Sequence, residues 1–367
     1  METNRRNWLR QISIVAAGLG ISPLKNFASA DKKYFNYNPV GTSIRLSSNE
    51  NPYGPSALAR IAMAENINIS NRYNWELTSE LIAAIAKENN ITVDNILMGA
   101  GSTEILDLTV RFAAIRNGSF IVADPAYNYW ADAAQTLGLK KISVPLTADK
   151  RHNLPAMLKA IQPDTQMIYI CNPNNPTGTI CDRNELVAFI KQASKKVLVL
   201  VDEAYIDFTD QHSLNDLVKD NKNLVVAKTF SKIYGLAGAR VGYAIANPAT
   251  IERLSQLQSW ANGSISVASA AGALASLKDE NFVRETKSSN EKVKIYTIGQ
   301  LEHLNISCIP SHANFIYFSL ANYKKDFFEQ LKNNSVIGTK IYEEQGKWSR
   351  ITVGTMLEMQ KFISALE

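Results

Sequence analysis

Three cysteines in 367 residues, Cys171, Cys181 and Cys308, form neither a disulfide framework nor a paired zinc motif. The four histidines (His152, His212, His303 and His312) are scattered, with no His-x-x-x-His spacing, so metal catalysis finds no ligand set here. Long hydrophobic runs are also missing: the apolar stretch from Ile12 to Ile21 is too short to cross a bilayer. The formal net charge of +5 is concentrated near the start, where Arg5, Arg6, Arg10 and Lys25 face only Glu2 within residues 1–30. The remainder is close to balance, which argues against nucleic acid or an anionic membrane surface as a partner. What is present is the make-up of a soluble globular protein, 46% hydrophobic and 20% charged, long enough for a large core.

The first thirty residues read differently from the rest. A basic start (Arg5-Arg6-Asn7-Trp8-Leu9-Arg10), a modest apolar run and the small-x-small end Ala28-Ser29-Ala30 describe an export signal. Paired arginines before an aromatic and a leucine look like the twin-arginine type, which carries folded proteins to the periplasm. The alternative is an amphipathic helix packed on a cytoplasmic protein.

Beyond it, short Val/Ile/Leu runs recur at Ile96–Met98, Phe120–Ala123, Ile142–Val144, Met167–Cys171, Val197–Val201, Leu224–Ala227 and Val241–Ile245. They lack alternation, as strands buried on both faces do. Helical stretches such as Glu104–Ile115 and Asn184–Ala193 lie between them. The order predicts an α/β fold: a large domain over residues 61–250 with a mainly parallel seven-stranded sheet covered by helices. After Asn247-Pro248 the pattern shifts to helices at Ile251–Trp260, Val267–Leu277 and Phe282–Leu304. Strands at Asn314–Phe318 and Ile351–Val353 and a helix from Leu357 follow. This predicts a smaller α+β domain over 251–367, with residues 31–60 packed against it.

Four segments at predicted strand ends carry chemistry, because ligands of open α/β sheets sit there. Thr229-Phe230-Ser231-Lys232 with Arg240 offers an amine beside phosphate-binding groups, which suits a carbonyl cofactor bearing a phosphate; pyridoxal 5'-phosphate is the obvious one. A Gly-rich surface turn explains that segment equally well when it is taken alone. Gly99-Ala100-Gly101-Ser102-Thr103 places glycines and free N–H groups before a helix, fit for phosphate, or is simply a capped turn. Asn172-Pro173-Asn174-Asn175-Pro176-Thr177-Gly178 is stiffened by two prolines, so an asparagine amide there has a fixed direction. Asp202-Glu203-Ala204-Tyr205 closes a buried strand, where a carboxylate needs a partner. A protonated pyridine nitrogen fits Asp202, and capping of the next turn is its plainer use.

Together these segments resemble the histidinol-phosphate aminotransferase family within the fold-type-I pyridoxal-phosphate enzymes. The likeness extends from Leu46-Ser47-Ser48-Asn49-Glu50-Asn51-Pro52-Tyr53-Gly54-Pro55 through Asn71-Arg72-Tyr73 and Pro310-Ser311-His312-Ala313-Asn314-Phe315 to Trp348-Ser349-Arg350-Ile351-Thr352-Val353-Gly354-Thr355. The resemblance implies Lys232 as the cofactor-binding lysine and the base that moves the Cα proton. It implies Asp202 at the ring nitrogen, Asn175 and Tyr205 at the ring oxygen, and Tyr127 stacked on the ring. Ser102, Thr103, Thr229, Ser231 and Arg240 are then expected around the phosphate, Arg350 on the substrate carboxylate, and Asn51 in the substrate site. It further implies a homodimer in which Tyr73 reaches the neighbouring cofactor. The reaction expected is amino transfer between an L-amino acid, or histidinol phosphate, and a 2-oxo acid. Racemisation, decarboxylation or elimination on the same cofactor, or a non-catalytic binding protein of this fold, are the alternatives.

Overall fold

The computed structural model describes residues 43–263 and 265–367; the export-signal reading of residues 1–30 lies outside them. The large sheet uses seven strands: β2 (Ile96–Gly99), β3 (Gly118–Asp124), β4 (Leu139–Pro145), β5 (Thr165–Cys171), β6 (Leu198–Asp202), β7 (Leu224–Thr229) and β8 (Gly242–Ala246). Their spatial order is β2-β8-β7-β6-β5-β3-β4. β4, β3, β5, β6 and β7 pair in parallel, while β8 runs against both β7 and β2. All seven predicted runs are strands of this one sheet.

Side chains along each strand alternate between two cores, one per face. On β6, Val199 and Val201 enter one apolar cluster and Leu198 and Leu200 the other. On β7, Leu224 and Val226 part in the same way from Val225 and Ala227. Period-two geometry with both faces covered is why these strands read as unbroken apolar runs. Helices Ser102–Ala114 and Arg183–Ala193 cover opposite faces: Leu106 and Val110 join one cluster, and Leu186 and Ile190 join the other. The second helix starts where the Asp182 carboxylate accepts from the N–H groups of Asn184 and Glu185.

A smaller domain follows. Its antiparallel sheet comprises β9 (Ser307–Ile309), β10 (Phe315–Ser319), β12 (Ile341–Glu343) and β13 (Trp348–Thr352), in the order β12-β13-β10-β9. Helices Glu280–His303 and Met356–Leu366 pack on it through Val293, Leu301, Phe362 and Ile363. The strand β1 (Ile44–Arg45) pairs in parallel with β11 (Val336–Ile337), and Leu46 is buried in the same cluster. The carbonyl of Leu46 accepts from Thr352 N at 2.9 Å, so the N-terminal segment is stitched to β13.

One predicted helix differs. Pro248–Ser255 is helical, capped by Asn247 and opened by Pro248, but the helix stops before Trp260. The reason is tertiary: the Gln258 side chain donates to the carbonyl of Met98 and to Glu104, and its carbonyl oxygen accepts from Asn262 N. These bonds turn the chain back along the end of β2.

Candidate active site

Parallel β5, β6 and β7 end side by side at Cys171, Asp202 and Thr229. Gly242 on β8 lies opposite both Gly99 and Thr229, so the glycine turn and the lysine segment become neighbours. A Cβ on Gly242 would strike the backbone of Gly101 and Ser102, so only glycine permits this approach. The result is a cavity of about 330 Å³ at the carboxyl ends of the strands. Ser102, Thr103, Tyr127, Asn175, Asp202, Tyr205, Thr229, Ser231, Lys232, Arg240 and Arg350 all line it, with Ser48, Asn49 and Glu50.

Asp202 forms the floor and is 2% exposed. Its Oδ2 accepts from Tyr169 Oη at 3.0 Å and its Oδ1 from Ala204 N at 3.0 Å. Burial pushes the carboxyl up to about 6, against the pull of these two donors and of Lys232. Glu203, the adjacent acid, does not join the floor. It accepts from Ser213 Oγ and Leu214 N at 2.5 and 2.8 Å.

Lys232 reaches in from the loop after β7. Its Nζ donates to the carbonyls of Asn49 at 3.3 Å and Ser48 at 3.5 Å and lies 5.5 Å from the Tyr205 ring centre. Desolvation first, and then the Arg350 charge, lower it to about 8, while Asp202 and Glu50 oppose the shift. An amine so placed is partly neutral near neutral pH, which a nucleophile or a base requires.

A cup suited to an anion stands at one end of the cavity. Helix Ser102–Ala114 begins at Gly101, which gives no side-chain cap to its first N–H groups. Gly101 has φ of 77°, and a Cβ there would run into the Arg240 guanidinium. Arg240 is itself in the left-handed region at φ 57°, a conformation that costs a non-glycine residue on the order of 1 kcal/mol. Its Nη2 donates to Ala100 O at 3.2 Å and Thr103 Oγ1 at 3.3 Å, and its Nη1 to Ser231 Oγ at 3.5 Å. Thr229 Oγ1 donates to Ser231 Oγ at 2.9 Å. Three hydroxyls, the uncapped first N–H groups of the helix and a guanidinium converge there.

The other end is built from chain segments far apart in sequence. Arg350, on β13, is 7% exposed; its Nη1 donates to Asn175 Oδ1 at 2.5 Å and its Nη2 to Ser47 O at 2.6 Å. Its Nε is buried without a partner among the described residues. Phe315 and Tyr342 flank the guanidinium at 5.4 and 5.5 Å. Asn175 Nδ2 donates onward to Tyr205 Oη at 3.3 Å. Glu343, two residues into β12 from Ile341, is engaged by Lys150 at 2.8 Å and by Tyr317 Oη at 2.7 Å.

Two expected site residues, Asn51 and the Tyr73 expected at a neighbouring subunit's cofactor, do not line this chain's own cavity. Asn51 does not line the cavity: its Nδ2 donates to Ile233 O at 2.8 Å and its Oδ1 accepts from Tyr53 N at 3.0 Å, so it fixes the lysine loop from behind. Its neighbour Asn49 takes the forward position. Asn49 Nδ2 donates to Tyr205 Oη at 2.9 Å, and its carbonyl accepts from Lys232 and from Asn314 Nδ2. Asn49 sits in the left-handed region at φ 54°, which asparagine tolerates better than most residues. Tyr73 is also outside, 75% exposed, with its ring 4.8 Å from Trp260 and 6.0 Å from Trp75.

The donor set fits a phosphorylated pyridine aldehyde. The uncapped helix start and Arg240 suit a phosphate, the buried carboxylate suits a ring cation, and the half-buried amine suits an aldehyde. These are the parts of a fold-type-I pyridoxal-phosphate enzyme. The chain belongs to the aminotransferases of class I and II, whose family pattern matches residues 42–366. It is 37% identical to the histidinol-phosphate aminotransferase of Moorella thermoacetica over 88% of this chain and 84% of that one. It is 33% identical to the aromatic amino acid aminotransferase of Mycolicibacterium smegmatis over 88% of each chain. The crystal structure of the histidinol-phosphate aminotransferase from Sinorhizobium meliloti in complex with pyridoxal-5'-phosphate superposes with a TM-score of 0.80 at 23% identity, over 92% of this chain and 96% of that one. The protein is thus a pyridoxal-phosphate-dependent aminotransferase of the histidinol-phosphate aminotransferase type.

The raised Asp202 carboxyl has a testable sign. A carboxyl whose native value stands above its unfolded one makes the cofactor-free fold less stable as pH rises between 3.8 and about 6. Asp202→Asn removes that dependence. The melting temperature of the cofactor-free variant minus that of wild type is therefore expected to increase from about pH 5 to about pH 7.5. A difference that stays flat would show that the carboxyl is not strained by burial.

Proposed function

We propose that Lys232 binds the cofactor and moves the substrate Cα proton, while Asp202 holds the ring nitrogen and Asn175 and Tyr205 the ring oxygen. Tyr127 lies against the ring face, and Ser102, Thr103, Thr229, Ser231 and Arg240 enclose the phosphate. Arg350 grips a substrate carboxylate with its planar fork. The carrying observation is convergence: Arg350 shares one cavity with Lys232 and Asp202 although 118 and 148 residues separate them in sequence. When bound, pyridoxal phosphate supplies an aldehyde for the amine and a cationic ring that accepts the electron pair left at Cα. The half-buried Lys232 amine supplies the base, and the depth of Asp202 excludes water from the ring nitrogen's partner.

Transfer of an amino group from an L-amino acid or histidinol phosphate to a 2-oxo acid follows from these placements. A panel of amino donors that includes histidinol phosphate, read for 2-oxo acid formation and for loss of chirality, separates transfer from racemisation. Lys232→Ala is expected to lose the visible absorbance of the lysine-bound cofactor and all transfer; a yellow, fully loaded variant sinks the assignment. Arg350→Ala is expected to raise KM for the 2-oxo acid about 30-fold with a smaller change in kcat.

We also propose a homodimer in which Tyr73 completes the neighbouring site. The exposed cluster of Tyr73, Trp75 and Trp260 supports it, because such a group of aromatics on one surface marks a contact. Mixing Tyr73→Phe with Lys232→Ala subunits is expected to restore part of the activity that each lacks. No recovery, with dimers present, rejects sharing of the residue.

Export is proposed from the sequence of residues 1–30. Replacing Arg5 and Arg6 by lysine is expected to hold the protein in the cytoplasm; a periplasmic variant would exclude the twin-arginine route.

A further inference from the structure

The Asp202 carboxylate has a neighbour that the roles above leave unused. Tyr169 stands on β5, one strand away from Asp202 on β6, where Cys171 pairs with Asp202 and Tyr169 with Leu200. Its ring is fully buried, packed 4.9 Å from Trp130, which in turn lies 5.3 Å from Phe120. In an apolar core a phenylalanine would serve the packing. The hydroxyl instead ends 3.0 Å from Asp202 Oδ2.

That contact fixes the carboxylate in two respects. Tyr169 Oη donates to Oδ2 and Ala204 N donates to Oδ1, so each oxygen already accepts one hydrogen bond. A backbone N–H can only donate, and burial keeps the Tyr169 phenol protonated, so both contacts favour the ionised acid. The same two bonds set the rotation of the carboxylate, and the lone pairs left over are those available to a donor in the cavity.

We propose that Tyr169 is a positioning residue for the cofactor: its hydroxyl holds Asp202 ionised and correctly turned, and thereby sets how tightly a protonated ring nitrogen is bound. The proposal rests on the reading of Asp202 as the ring-nitrogen partner, and the experiment distinguishes failure of one from failure of the other.

The measurement is the dissociation constant of the cofactor-free protein for pyridoxal phosphate and for its 1-deaza analogue, which lacks the ring nitrogen, between about pH 5.5 and about pH 8.5. Other titratable groups face Asp202: Lys232 from the loop after β7, Cys171 from β5, Tyr205 after β6, and Tyr127 and Tyr129 after β3. Burial keeps the thiol and the phenols uncharged in this range, and comparison with the deaza analogue cancels the contribution of Lys232.

Tyr169→Phe is expected to weaken pyridoxal phosphate about 10-fold, the size of one hydrogen bond to a charged group, with the largest loss at the acid end. The deaza analogue should change less than about two-fold. Tyr169→3-fluorotyrosine, a donor of nearly the same shape, should retain wild-type affinity and guards against a folding defect. Equal losses for both ligands would reduce Tyr169 to packing and overturn the proposal. Unchanged pyridoxal phosphate affinity in Tyr169→Phe, with a large loss in Asp202→Asn, overturns it while sparing the role of Asp202. If Asp202→Asn weakens neither ligand selectively, the ring-nitrogen reading fails and takes the proposal with it.

Discussion

A carboxylate taken out of water at the end of a central strand is the constraint on which this site turns. Asp202 is 2% exposed, and its ordinary acidity is suppressed by that burial. An ion in such a place is tolerated only with partners, and the protein supplies two neutral donors and a nearby amine rather than a full counter-charge. The site is therefore built with a deficit that a cationic ring would satisfy. Lys232 carries the complementary strain, an amine lowered by the same desolvation and by Arg350. Two ionisable groups pushed toward each other's range are what proton movement at neutral pH needs.

Holding such groups together requires rigid surroundings, and here they come from the meeting of two domains' elements. The large sheet sets Asp202, Asn175 and Thr229 at strand ends. The smaller sheet delivers Arg350 on β13, in register opposite Tyr317 of β10. The segment from Ser47 to Asn51 joins them: Ser47 accepts from Arg350, Asn49 bridges Tyr205, Lys232 and Thr352, and Asn51 pins Ile233. A short stretch of backbone and amides thus fixes the relative position of Lys232 and Arg350. That is positioning by hydrogen bonds from loops braced on both sheets.

Much of this was legible in the chain. Continuous Val/Ile/Leu runs located all seven strands of the large sheet because both of its faces are covered, and strand-end motifs singled out Lys232, Asp202, Asn175, Tyr205 and Arg240, which line one cavity. Less legible were β9 and β12, three residues each with half-exposed side chains, which carry no period to read. The choice between Asn49 and Asn51 was also hidden, since it depends on one left-handed residue and on Thr352, three hundred positions away. Tyr169 read as one more core aromatic; its hydroxyl gains meaning only from the parallel register that sets β5 beside β6. Helix Pro248–Ser255 ended early for a similar reason, a tertiary bond from Gln258 that local propensity does not contain.

The ionised state of the Asp202 floor against a protonated ring can be observed directly. In the loaded enzyme carrying cofactor labelled with 15N in the ring, the nitrogen is expected to show the chemical shift of a protonated pyridinium throughout about pH 6 to about pH 8.5. A shift typical of an unprotonated pyridine at neutral pH would contradict the central role given to the buried carboxylate.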